Sequence, residues 1–129
     1  MGMIDKLDFP SKKGLPIRCR IYIPSTQGSK KISKSEHMKR ARILKKKMIS
    51  LFGGTTSIKA RGSWFSGSKV ISEPVLLVES YTSMSRWKKN DSKIKTYLNK
   101  KKREWKQEAL SMEWEDLSRN LRVEGMHFI

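Results

Sequence analysis

The stretch from Phe52 to Tyr81 constrains this chain more than any other. Gly53-Gly54 ends whatever precedes it. Two β-rich runs follow, Thr55 to Trp64 and Val70 to Tyr81, joined across Gly67-Ser68. Runs rich in Thr, Ile, Val and aromatic residues on either side of a Gly turn specify a hairpin. An isolated hairpin is marginal in water, so the rest of the chain has to supply further strands and a covering layer. In the first run Thr56, Ile58 and Ala60 are expected to face inward, and Ser57, Lys59 and Arg61 outward. Gly62 before Trp64 suggests a bulge or a close approach, and Pro74 marks an edge, a bulge or a strand start. Val75 to Val78 is apolar at successive positions, so both of its faces need cover. Helices are expected on one face and a partner on the other.

The flanking segments supply those elements. Ile17, Cys19, Ile21 and Ile23 alternate with Arg18, Arg20 and Tyr22, which is the period of a half-buried strand. Ser33-Lys34-Ser35-Glu36 has the form of a capping box and opens a helix over 34–52, ended by Gly53. Its core stripe reads Met38, Ala41, Lys45, Met48, Ile49 and Phe52, with Leu44 at the edge and Lys45 snorkelling. Residues 82–90 read as a loop holding Trp87. A second helix is expected over 92–105, capped by Asp91 or Ser92, with Ile94, Tyr97, Leu98, Lys101 and Trp105 on one face. Leu110, Met112 and Trp114 alternate with Ser111, Glu113 and Glu115, which predicts a strand over 109–115. A turn over 116–120 and a last strand over 122–129 complete the chain. The expected fold class is α/β (α+β): a ferredoxin-like split βαβ domain over 17–129, preceded by an irregular arm over 1–16. Its sheet has four to five mainly antiparallel strands with two helices on one face.

Charge drives the functional expectation. The chain has 129 residues, with 29 Lys and Arg against 12 Asp and Glu, a net charge of +17. Such a field attracts polyanions. Nineteen of the 29 cations fall in residues 30–47 and 86–106, the two helical segments. Solvated helix faces usually mix signs, and these do not. The reading is a nucleic-acid-binding protein, RNA or single-stranded DNA rather than duplex, within a larger complex. It grips phosphates through Lys39, Arg40, Lys46, Lys47, Lys95, Lys102, Arg103 and Lys106. Arg18, Arg20, Tyr22, Lys59 and Arg61 form a basic and aromatic set on the outer sheet face, and Trp87 between Arg86 and Lys88 is a stacking candidate. Two alternatives stand beside it, a small ribonuclease or toxin and an assembly subunit docking an acidic protein. Nucleic acid is the expected partner, with a homodimer or protein contact through the sheet and no membrane.

Little in the chain suggests a reaction. It has two histidines, His37 and His127, and one cysteine, Cys19, which the alternation places in the core. No spacing of Cys, His or carboxylates matches a metal site, so no catalytic residue, metal or cofactor is expected. A nuclease would have to use His127 with Glu79 or Glu73. No signal peptide or membrane span is visible, and the expected location is the cytoplasm.

Phe52-Gly53-Gly54-Thr55-Thr56, Gly62-x-Trp64, Glu73-Pro74 before an apolar strand, and Trp105-x-Gln107-Glu108-Ala109 together resemble a family of small uncharacterised bacterial proteins. Members of that family look like Gly-Leu-Thr, Gly-Gln-Trp, Arg-Glu-Pro before a β-run, and Phe-Gly-Gln-Glu-Ser-Val. The resemblance spans roughly Ile21 to the C-terminus. It implies a compact ferredoxin-like domain and no assigned activity.

Overall fold

The computed structural model describes residues 15–28, 30–119 and 125–128. Apart from Leu15 and Pro16, the expected arm lies outside the described residues. So do residues 120–124 of the expected final turn and strand. The element order is β1 (Ile17–Pro24), β2 (Thr26–Gln27), β3 (Lys30–Lys31), α1 (Lys34–Phe52), β4 (Thr56–Ser66), β5 (Lys69–Thr82), α2 (Met84–Glu104), β6 (Ser111–Asp116) and β7 (Gly125–Phe128). A single 3-10 turn over Leu117–Arg119 precedes β7.

One sheet of five strands runs in the order β4-β5-β1-β6-β7, and every neighbouring pair is antiparallel. β2 and β3 form a separate small hairpin. The alternation of β1 places it at the centre. Ile17, Cys19, Ile21 and Ile23 are fully buried against the helices, and Arg18, Arg20 and Tyr22 point to the other side. Each buried Ile contributes roughly 1.5–3 kcal/mol of hydrophobic stabilisation. α1 and α2 lie side by side on the same face, where Leu44, Met48, Ile94 and Leu98 complete the core.

The N-cap is present as read: Ser33 Oγ accepts from the Glu36 amide at 3.0 Å, while the Glu36 carboxylate accepts from Arg40 Nε at 2.9 Å instead of closing a box onto the Ser33 amide. Gly53 sits at φ 106, which an L side chain adopts only with strain, and its N–H donates to the Ile49 carbonyl. The hairpin is also present, closed by the two-residue turn Gly67-Ser68 with Gly67 at φ 64.

Four expectations are corrected. First, α2 begins at Met84 rather than at residue 92. Ser83 Oγ accepts from the Arg86 amide at 3.2 Å, but Arg86 stands where a capping box has its acid, so the sequence signal is weak. Second, Trp87 is therefore a helical core residue, only 3% exposed, and not a loop aromatic. It stacks at a tilt on Phe52 (5.6 Å between centroids) and on Trp114 (5.3 Å).

Third, the buried stripe of α1 is rotated. It consists of His37, Arg40, Ala41, Leu44, Met48, Leu51 and Phe52, and Met38 and Ile49 are about half exposed. Apolar counting misses this because two inward positions are polar and find partners. His37 Nε2 donates to the Ile23 carbonyl at 2.8 Å. Arg40 bonds Glu36 at 2.9 Å and Gln27 at 3.0 Å and lies over the Trp105 ring.

Fourth, β4 faces the opposite way. Its register with β5 places Thr56, Ile58 and Ala60 opposite Glu79, Leu77 and Val75, on the side of Arg20 and Tyr22. Lys59 and Arg61 fall on the helical side. Among the described residues β4 is exposed along its length except at Gly62, so pairing geometry rather than burial sets its orientation.

Candidate functional site

The face of the sheet away from the helices carries the site. Strand period 2 puts Arg18, Arg20 and Tyr22 of β1 on that face. Antiparallel register sets Arg20 directly between Glu79 of β5 and Glu113 of β6, and sets Arg18 opposite Glu115. Arg20 Nε donates to Glu79 Oε2 at 2.9 Å, and Nη2 lies 2.8 Å from the same oxygen. Arg20 Nη1 reaches Glu113 Oε1 at 3.3 Å, and the Tyr22 hydroxyl donates to that oxygen at 2.9 Å. Arg18 pairs with Glu115. Glu79, Glu113 and Glu115 are buried, and among the described residues no second layer lies over this face.

Two electrostatic consequences follow. Burial works against the Arg20 charge, but its hydrogen bonds to Glu79 and Tyr22 outweigh that and hold its pKa above the ordinary arginine value. Burial, then the hydrogen bond to Glu113, raises the Tyr22 pKa, with Arg20 opposing. Among the described residues, the contacts to the two flanking carboxylates fall on one oxygen each, Oε2 of Glu79 and Oε1 of Glu113. Their other oxygens carry no side-chain contact among the described residues. A carboxylate is an acceptor only, so the ligand group it suits is a donor or a cation. From this row toward the hairpin tip the same face carries Leu77, Ile58 and Val75, then the buried Glu73, whose Oε2 accepts from Ser25 Oγ at 3.0 Å, and beyond it Trp64 and Ile71.

The expected binding residues are dispersed. Lys39, Lys46, Arg103 and Lys106 are exposed on the helical layer. There Lys47 lies over the Tyr97 ring at 5.2 Å, and Lys95 stands 3.9 Å from Asp91. Lys102 is half-buried. Arg40 and Trp87 are core. Arg61 donates to Ser72 at 3.2 Å on the helical side of the hairpin, so Lys59 and Arg61 do not join Arg18, Arg20 and Tyr22. The two cationic helices are adjacent as expected, but the Arg20 row is on the opposite face of the sheet. His127, at the register position opposite Met112, is one residue out of step with Glu113. Sequence reading missed Glu113 and Glu115 as site residues. The signal was there: in a strongly basic chain, two acids alternate on one strand opposite a buried Leu-x-Met row.

No protein-family model and no curated protein sequence matches the chain. Solved structures do. The fold is similar to that of a phage SAM lyase. The lyase in complex with S-methyl-5'-thioadenosine superposes with a TM-score of 0.64 at 16% identity, over 90% of both chains. The lyase in its apo state gives 0.64 at 16%, over 92% of this chain and 91% of that one. This finding corrects the nucleic-acid-binding reading drawn from charge, and displaces its ribonuclease and acidic-partner alternatives. Two solved structures that share the fold are of a phage SAM lyase, and Arg40 and Trp87, two of the residues expected to touch nucleic acid, are buried. Among the described residues no group of His, Cys, Asp or Glu is placed to hold a metal, and no helix is long and apolar enough to cross a membrane.

Proposed function

We propose that this chain cleaves S-adenosylmethionine on its open sheet face, releasing S-methyl-5'-thioadenosine. The observation that carries the reading is the Arg20, Tyr22, Glu79 and Glu113 cluster on the sheet face away from the helices, in a fold shared with a phage SAM lyase. The strand order, with β1 between β5 and β6 and one helix in each crossover, supports a ferredoxin-like arrangement with β7 added at the edge.

The chemistry is self-contained. A carboxylate oxygen of the substrate's own methionyl group attacks Cγ and forms a five-membered ring. The Cγ–S bond breaks, and its electron pair neutralises the sulfonium. The products are homoserine lactone and the thioether, and no water, metal or external base enters the balance. The attacking carboxylate and the sulfonium lose their opposite charges together in the transition state. Water solvates the separated charges and slows that step, so catalysis here means holding a folded substrate conformer and keeping the site dry.

Each side chain has a part in that. The α-ammonium keeps its charge throughout, so Glu79 and Glu113 bind it through their free oxygens without opposing the reaction. Arg20, already neutralised by the same two carboxylates, holds them in place and leaves the substrate carboxylate free to attack. Tyr22 fixes the Glu113 carboxylate through its hydroxyl.

Purified protein incubated with S-adenosylmethionine is expected to yield equal amounts of S-methyl-5'-thioadenosine and homoserine lactone by mass spectrometry. Glu113→Gln is expected to lower turnover about 100-fold by misplacing the substrate. Label from water in the hydroxyl oxygen of homoserine would mean hydrolysis at Cγ instead, since opening of the lactone places the label in the carboxyl group, and no turnover at all would sink the reading.

A further inference from the structure

We infer that the groove between the start of α1 and the back of the β4–β5 hairpin binds a single-chain carboxylate, an apolar tail carrying one anionic head. The groove lies on the helical side of the sheet, away from the Arg20 row, so the inference stands apart from the lyase reading.

The groove is a built cavity. Its volume is about 460 Å³, within the usual range for small-molecule sites. Three hydrogen bonds fix its walls. His37 Nε2 holds the first turn of α1 to the Ile23 carbonyl at 2.8 Å. The Ile32 amide donates to the Ser25 carbonyl at 2.8 Å and sets the β2–β3 hairpin alongside. Ser25 Oγ donates to Glu73 Oε2 at 3.0 Å and ties the end of β1 to β5. The walls are therefore formed in advance, and a ligand does not have to order them.

The lining sorts by chemistry. Ile32, Met38, Pro74 and Leu76 make an apolar interior. Strand period 2 sends Pro74 and Leu76 to this side, where Arg61 and Lys59 are their register partners. Met38 is the apolar residue that the rotated stripe of α1 leaves out of the core, and it is 50% exposed here. Lys31, Lys34 and Lys59 surround that interior from three elements, β3, α1 and β4. All three are exposed, and Lys34 opens α1, whose N-terminal dipole adds to the positive field. No residue lining the groove is acidic. Among the described residues none of the three lysines makes a salt bridge, whereas Lys95 and Lys101 each have a carboxylate.

That combination selects the ligand. An apolar interior excludes a fully hydrated anion, and the cations around it exclude another cation. An amphiphile satisfies both, with its tail in the interior and its head among the ammoniums. The lining has no arginine fork of the kind that grips phosphate bidentately, and lysine point charges suffice for a carboxylate.

Calorimetry with decanoate tests the site. Decanoate is expected to bind one to one with a dissociation constant on the order of 10 µM. Octanoate, shorter by two methylenes, is expected to bind about tenfold more weakly. Decanol, which lacks the charge, and acetate, which lacks the tail, are each expected to lose more than about tenfold. The methyl resonance of isotope-labelled Met38, assigned by its loss in Met38→Leu, is expected to shift on titration. Lys34→Glu with Lys59→Glu is expected to weaken decanoate by more than about tenfold. Lys93→Glu with Lys100→Glu makes the same change of charge in a separate hollow beside Tyr97 and is expected to leave affinity within about twofold. Decanol binding as tightly as decanoate, equal losses in the two double variants, or a Met38 methyl that does not move would each overturn the inference. None of these readouts uses S-adenosylmethionine. Decanoate binding without turnover would leave the groove standing and sink the lyase reading alone, and turnover without decanoate binding would do the reverse.

Discussion

Arg20 lies 2.8 Å from Glu79 on the neighbouring strand, and the same guanidinium reaches Glu113 on the other side, so one side chain ties β5, β1 and β6 together. Removing it would leave two buried carboxylates without their shared cation. Arg20→Gln is expected to destabilise the fold by about 2 kcal/mol, because an unpaired charge in a partly buried site costs more than the pair contributes. A urea titration of both proteins at neutral pH checks this. A loss within the error of the measurement would show that solvent, not Arg20, neutralises the row.

Alkaline pH is expected to weaken the fold through groups held in their neutral form. Burial pushes the Cys19 thiol up from 9.0 to about 12, with Lys95 opposing. Burial also raises Tyr22 and Tyr97 above the ordinary tyrosine value of 10.0. A folded-state pKa above the unfolded one means the stabilisation is complete below the unfolded value and is lost as pH rises toward the folded one. For Cys19 that window runs from about pH 9 to about pH 12. The urea midpoint is expected to fall between about pH 8 and about pH 11, less steeply in Cys19→Ala. The native thiol is also expected to resist Ellman's reagent at about pH 8 and to react once urea unfolds the chain.

Trp87 and Phe65 are expected to respond oppositely to truncation. Trp87→Ala removes the middle ring of the Phe52–Trp87–Trp114 stack and is expected to cost about 4 kcal/mol. Phe65→Ser, at the exposed hairpin tip, is expected to change monomer stability by less than about 0.5 kcal/mol. Thermal unfolding of the two variants separates a core aromatic from an exposed one.

Arg40 is a buried cation whose Nη1 has no hydrogen-bond partner among the described residues. Its partner Glu36 is half-exposed. Replacing a buried, imperfectly satisfied ion by an apolar group of similar length is often neutral or stabilising. Arg40→Met, packing on Trp105, is expected to unfold within about 1 kcal/mol of wild type in urea. A loss of several kcal/mol would show that its bonds to Glu36 and Gln27 organise the start of α1.

Elements with strong local signals were legible, and those defined by distant partners were not. The alternation of β1, the Ser33 N-cap, Gly53 and the Gly67-Ser68 turn are local features, and the structure has each. The start of α2 was obscured because Ser83 caps it without an acid at Glu36's equivalent position. The stripe of α1 was misjudged because the partners of His37 and Arg40, Ile23 and Gln27, lie in other elements. The candidate site was half visible: Arg18, Arg20 and Tyr22 stood out as a polar face, while Glu79 and Glu113 are 59 and 93 residues from Arg20 in the chain.

By itself the sequence determined the period of each element, the buried β1 row and the two cationic helices, since backbone geometry and side-chain type act over a few residues. Only the tertiary structure decided that Arg20 falls between Glu79 and Glu113, that Trp87 is core, and that Ile58 rather than Lys59 shares the site's face. Those are matters of strand register, and a shift of one residue turns every side chain to the other face of the sheet.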